Sequence, residues 1–235
     1  MTDAPDGTPT RFDEGEIVLA LVLTLVTGIV DAIGFTRLFH VFPANQTGNL
    51  VLLGISVGDP ALAEWWRPAT AMASFAVGVA IAWILGRGRG PTRRRAPLQA
   101  IECALLVGVA LLAGDVRPLE PSVEGLHLVL VLALASCAMG IQTVVIGRVA
   151  GIAMSTTFET EAIVRLAETT VDGSRLRPER LRTILVLAAV LLAYSGGAAI
   201  GALTATHWGG VLWIPVIVVG IGALWSTVRW FRRED

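Results

Sequence analysis

Residues 27–54 read TGIVDAIGFTRLFHVFPANQTGNLVLLG, and residues 139–167 read MGIQTVVIGRVAGIAMSTTFETEAIVRLA. Each lies where a membrane helix is expected, yet each is too polar and too interrupted to be a simple one. Laid over each other, Gly28 meets Gly140, Gly34 falls beside Gly147, and Thr47 meets Thr160 after a one-residue gap. Apolar segments broken at matching places in two halves point to a site at the interface of two repeats. How these two stretches are read decides how many times the chain crosses a bilayer.

The rest of the chain supplies the crossings. Of 235 residues, 54% are hydrophobic and 16% charged, with a mean hydropathy of +0.70. A soluble domain carries about 25% charge. Uncharged runs of about 18 residues or more are span candidates, and 68–86 and 125–147 qualify. Residues 183–228 hold no formal charge and divide at the polar turn Thr206–Gly209. The sequence predicts six spans, at 17–36, 68–87, 98–114, 126–147, 183–204 and 211–228, with 41–57 and 151–167 undecided. Residues 1–15 are acidic, lack the basic start and cleavage site of a signal peptide, and read as a disordered tail. Cys103 and Cys137 lie in apolar runs with no metal-ligand spacing. No cofactor motif is present.

Arginine placement settles the undecided segments. All 18 basic residues are Arg, and 13 of them cluster at 87–95, at 165–182 and at 229–233. Short basic segments stay cytoplasmic. Counting crossings from 87–95, all three clusters fall on one side only if 151–167 dips in and returns. The same reading applied to 41–57 makes that segment re-entrant as well. Each half then crosses three times, an odd number, so the halves have opposite topology. The expectation is an all-α polytopic protein of about six transmembrane helices plus two short re-entrant or broken helices. Its membrane domain, 16–230, holds an inverted repeat of 16–114 and 126–228, followed by a short tail at 231–235. Both termini are then cytoplasmic. Trp65, Trp66, Trp208, Trp213 and Trp230 fall at span ends, where indoles favour the headgroup level.

Asp31 lies deep in the first span, where a carboxylate costs at least about 2.5–3.5 kcal/mol. It reads either as a proton or cation site or as an inter-helix partner of Arg37 or Arg148. Asn45, Gln46, Thr47, Gly48 and Asn49 follow Pro43, a residue that removes a helix donor. Broken backbone at membrane depth survives only in protein or along a wet cavity. A short helix starting near Thr47 would present free N–H groups to that cavity. The second copy keeps hydroxyls at Thr156, Thr157 and Thr160 and adds Glu159 and Glu161. Glu161 and Arg165 are spaced to pair on one helix face. Gln142 and Thr143 stand opposite Asp31 in the alignment. Glu102 falls near the cytoplasmic end of its span, within snorkelling reach of the surface.

At VDAIGF, FPANQTGN and MGIQ the chain resembles the YoaK family of bacterial integral membrane proteins, a domain family of unknown function. The resemblance covers about residues 15–230. It implies a plasma-membrane protein with about six spans and supplies no substrate. The family shows a Thr-Gly step in the second motif, where this chain has Thr160-Glu161.

Three functions remain open on the sequence: a small-solute secondary transporter or permease, a channel of the same architecture, or a non-transporting scaffold or sensor. The repeat favours the transporter, with its site formed by the two motifs. No catalytic constellation supports an enzyme. Gly54–Gly58 matches G-x-S-x-G but lies in an apolar helix, not at a strand-to-helix turn. Topology accounts for the Arg-rich loop 87–95, so no nucleic-acid partner is expected. The expected partners are the lipid bilayer, a small solute or ion, and a second copy through Gly-rich faces.

Overall fold

Spanning a hydrocarbon core of about 30 Å takes about 20 helical residues at 1.5 Å each. In the computed structural model five helices meet that length with an apolar composition: Glu14–Arg37, Trp66–Gly86, Arg93–Ala113, Val129–Ile146 and Leu181–Ala205. A sixth apolar stretch, Trp213–Val228, is shorter. The structure describes residues 14–38, 40–59, 64–88, 91–113, 126–146, 148–149, 152–153, 158–171, 178–207, 210 and 212–231. In chain order the elements are α1 (Glu14–Arg37), α2 (Gln46–Gly58), α3 (Trp66–Gly86), α4 (Pro91–Ala113) and α5 (Leu126–Ile146). A two-residue antiparallel pair follows, β1 (Arg148–Val149) with β2 (Ile152–Ala153), then α6 (Phe158–Val171), α7 (Pro178–His207) and α8 (Trp213–Phe231). Among the described residues every element but that small hairpin is helical, and the chain is a polytopic all-α membrane protein. With 13 and 14 residues, α2 and α6 reach only about 20 Å each.

The helix starts differ from the expected ones for local reasons. α1 begins at Glu14, so residues 14 and 15 belong to the helix and not to the tail. Glu14 and Glu16 sit in its first turn, where carboxylates meet the positive end of the helix dipole. Glu16 Oε1 also accepts a bond from Arg95 Nη1 at 2.8 Å, within an α4 that begins at Pro91, well before residue 98. Pro91 and Pro178 open α4 and α7 at the position where proline loses no helix bond. The remainder of the predicted tails, 1–13 and 232–235, lies outside the described residues, as does Trp208.

α1 and α5 form the interior. Their apolar stretches are 61% and 56% buried, against 28–33% for those of α3, α4 and α7. Leu23, Ile29 and Ile33 of α1 and Leu132, Met139 and Ile141 of α5 are wholly buried. The outer helices turn Leu85, Leu111, Leu192 and Leu203 outward, as lipid contact permits.

Glycine allows close backbone contacts between helices. A Cβ on Gly28 of α1 would collide with the Tyr194 carbonyl oxygen and come within 2.9 Å of Ala198 N, both on α7. A Cβ on Gly140 of α5 would collide with the Phe75 carbonyl oxygen and come within 3.0 Å of Val79 N, both on α3. In return, Gly197 of α7 lies against the Leu25 carbonyl and Gly78 of α3 against the Cys137 carbonyl. Without hydrophobic drive between helices in lipid, such close backbone packing contributes to their association alongside inter-helix hydrogen bonds.

The same contacts give helix directions. Leu25 faces Gly197, Ile29 faces Gly201, and Arg37 donates to the Ala205 carbonyl, so α1 and α7 run the same way. α8 runs against α4, because Gln99 bonds Ser226 while Cys103 reaches Val216. The Arg95–Glu16 pair brings the starts of α1 and α4 to one end, and Gly86 closes α3 beside Arg94. The Arg-rich ends of α3, α4, α7 and α8 therefore share one end of the bundle.

Candidate functional site

Asp31 lies fifteen residues beyond Glu16 on α1, about 22 Å along the axis. It is 2% exposed. Its Oδ1 accepts from Ala44 N at 2.7 Å and from Asn45 N at 3.4 Å, and its Oδ2 accepts from the Tyr194 hydroxyl at 2.8 Å. Asp31 thus ties three elements together: α1, the turn entering α2, and α7. Two backbone donors and a hydroxyl stabilise the carboxylate where water cannot. Of its two expected partners, Arg37 instead donates to the Ala205 carbonyl near the end of α7, where a cation meets the negative end of the dipole. The Arg148 side chain lies outside the described residues.

The stretch FPANQTGN builds the turn that Asp31 holds. Asn45 caps α2 by accepting from Gly48 N at 3.1 Å. The fully buried Asn49 accepts from Phe42 N at 3.0 Å and donates to Phe42 O at 2.6 Å and to Gln46 Oε1 at 3.0 Å. Gln46 donates to Pro43 O at 2.9 Å. These amides satisfy backbone that a helix would otherwise satisfy by itself. Gly48 lets the Phe42 ring approach, since a Cβ there would lie 2.8 Å from it. A Cβ on Gly34 would strike the Pro43 ring, so VDAIGF and FPANQTGN lock directly onto each other. Phe42 stacks on Phe35 at 5.0 Å, with His40 edge-on to Phe35 at 5.0 Å. His40 takes φ +62°, the left-handed conformation that reverses the chain before α2. Thr47 is exposed at the start of α2.

Asn49→Leu is expected to lower stability by about 2–3 kcal/mol, because it leaves Phe42 N and O buried and unpaired. Thr47→Ala, at an exposed position, should stay within about 0.5 kcal/mol. Thermal unfolding in detergent, followed by the monodisperse fraction, compares the two.

The counterpart in the second half is only partly described. Gln142, 1% exposed, donates to Leu23 O at 3.0 Å and to Thr27 Oγ1 at 2.6 Å. Its Oε1 is buried without a partner among the described residues. Thr143 bonds back to the Met139 carbonyl at 3.0 Å within its own helix. Thr160 and Glu161 fall in the first turn of α6, but their side chains, like that of Arg165, lie outside the described residues, and so does all of Thr157. The structure thus brings Asp31, Asn45, Gln46, Gly48 and Asn49 together and sets Gln142 apart, at the α1–α5 contact.

Two features escaped the sequence. Tyr194, the chain's single tyrosine, was the available signal for a partner of Asp31: one phenol inside a long uncharged run. Glu102 does not snorkel. It is 0% exposed and lies eleven residues beyond Pro91, the first residue of α4. Ser56 of the G-x-S-x-G match donates to Leu53 O at 2.7 Å inside α2. Among the described residues no cluster of three or more His, Cys, Asp or Glu could hold a metal.

A family model described as "Protein of unknown function (DUF1275)" matches residues 19–225. The chain is also 30% identical over 209 residues to the UPF0700 transmembrane protein YoaK of Bacillus subtilis (strain 168), which covers 86% of this chain and 89% of that protein. No solved structure matches it. The family match runs from within α1 to within α8, taking in the Asp31 anchor, the α2 turn and both glycine contacts. This multi-pass membrane protein belongs to the DUF1275 family.

Proposed function

We propose that the chain is a small-solute secondary transporter built as an inverted repeat in a bacterial plasma membrane, with both termini cytoplasmic. One observation carries the reading. Gly28 and Gly197 bind α1 to α7 through the same backbone contacts by which Gly140 and Gly78 bind α5 to α3. Shifting first-half numbers by 112 on α1 and by 119 on α3 reproduces the second-half partners: 28 gives 140, 25 gives 137, 75 gives 194, and 78 gives 197. Each half also contains one short helix, α2 or α6, that is too short to cross. Broken segments in matching places of two halves are a pointer to a transport site. The shared end of the Arg-rich helix termini supports a cytoplasmic assignment for that end.

Most of the first-motif amides hold the turn, so the groups offered to a solute are fewer than the motif contains. They are the exposed Thr47 at the start of α2 and Gln142 Oε1 at the α1–α5 contact. On this reading Asp31 is a positioning residue that sets the start of α2.

The test is solid-supported-membrane electrophysiology on proteoliposomes, challenged with proton, sodium, carboxylate, amine and sugar-acid gradients. A saturable, solute-dependent current is expected. A current that rises without saturation would make the protein a channel. Silence across the panel, together with no uptake of the same solutes by folded protein, would overturn transport.

A further inference from the structure

α4 carries a second polar site that neither motif includes. Glu102 is 0% exposed, and neither of its carboxyl oxygens has a hydrogen-bond partner among the described residues. One turn earlier, Gln99 is also 0% exposed. Its Oε1 accepts from the Ser226 hydroxyl at 2.6 Å, and its Nε2 has no partner among the described residues. That Nε2 faces Gly222, where a Cβ would lie 3.0 Å away. The next residue, Cys103, directs its Sγ at Val216 O, 3.6 Å away. Gln99 and Cys103 place this polar strip of α4 at its crossing with α8.

Depth excludes a surface role. The Arg95–Glu16 pair marks the arginine-rich end of the bundle. Glu102 lies seven residues further on, about 10 Å along the helix, farther than a glutamate side chain extends. The charges around it do not neutralise it. On α4 the other titratable groups are Cys103 and Arg93–Arg95, and Arg95 is paired with Glu16 of α1. α8 has no titratable residue between 213 and 228, α3 has none between 68 and 86, and α5 has only Cys137 between 128 and 146. Asp31 of α1, the other buried acid among the described residues, is tied to the α2 turn and to Tyr194. An ionised carboxylate without a cation or donors is costly in such a setting, whereas the neutral acid is tolerated.

We propose that Glu102 is a proton-binding site inside the membrane domain. The step is a single protonation: the carboxylate takes one proton to become the carboxylic acid and returns it on release, with no other bond changed. Gln99 and Ser226 form the adjoining hydrogen-bonding pair on the arginine-rich side. The role of this proton in coupling rests on the transporter reading, but the occupancy of the site does not.

Infrared spectroscopy of the full-length protein in lipid vesicles tests the assignment. At neutral pH, a carbonyl-stretch band of a protonated carboxylic acid is expected. Glu102→Gln should remove it, Glu102→Asp should shift it, and Glu16→Gln should leave it in place. If Glu102→Gln does not fold, selective isotope labelling of glutamate carboxyls in the unmodified chain should move the same band. Absence of the band, or its persistence in folded Glu102→Gln, would overturn the proposal. So would its loss on replacing choline with sodium, which would make the site one for a metal cation. A band present in a protein that moves no solute keeps the proton site and overturns the transporter. A saturable current without the band does the reverse.

Discussion

Gly28→Ala and Gly140→Ala are each expected to abolish most of the folded, monodisperse protein, and to do so to a similar extent. At Gly28 the added methyl would meet the Tyr194 carbonyl oxygen and Ala198 N; at Gly140 it would meet the Phe75 carbonyl oxygen and Val79 N. These are backbone atoms of a neighbouring helix, so no rotamer change relieves the clash and the two helices must separate. Overpacking usually costs about 1–3 kcal/mol, and a collision with backbone at a helix crossing belongs at or beyond the upper end. Gly54→Ala provides the contrast, because nothing lies within 4 Å of its added Cβ. There the change should be neutral or stabilise by about 0.5–1 kcal/mol, through the lower backbone entropy of alanine. Monodisperse yield and thermal midpoint in detergent check all three. A large loss at one glycine with none at the other would mean that the two halves do not share their packing.

Asp31→Ala should be the most damaging polar substitution in the first motif. It removes the acceptor for Ala44 N, which is buried, and for the Tyr194 hydroxyl, which is partly buried. Hydrogen bonds to a charged group contribute about 1.5–3 kcal/mol each, so a loss of at least about 3 kcal/mol is expected. Asp31→Asn keeps an acceptor for Ala44 N and should retain much of the folded protein. Tyr194→Phe removes the hydroxyl that Asp31 accepts from and should cost about 1–2 kcal/mol. In the double variant Asp31→Ala, Tyr194→Phe, the second change should add little to the first, since the two side chains share one interaction. Full additivity would separate Tyr194 from the anchor.

Much of this architecture is legible in the chain because lipid imposes strict requirements on backbone and charge. Uncharged runs mark α3, α5, α7 and α8 within a few residues, and the start of α2 lies one residue from Thr47, where the Asn-rich motif places it. Partners distant in sequence are less legible. Nothing local to Asp31 points to Tyr194, 163 residues away, since that pairing depends on α1 and α7 crossing at Gly28 and Gly197. Glu102 misleads for a related reason. Judged from the apolar run alone, its span begins at 98, close enough to the surface to snorkel. In the structure α4 is already helical at Arg95, which pairs with Glu16, and Glu102 lies seven residues further along the helix. The amides of 45–49 look like ligand groups in isolation, yet most of them hold the backbone of their own turn. A sequence shows polar atoms at depth without showing which are already satisfied.

The claim that each half crosses three times is tested most directly by single-cysteine labelling in a chain lacking Cys103 and Cys137. Ala63→Cys and Thr206→Cys should react with a membrane-impermeant maleimide added outside intact cells. Arg89→Cys and Ser174→Cys should react only after permeabilisation. If positions 89 and 174 instead label on opposite sides, one of the short helices crosses the membrane and the two halves are not inverted.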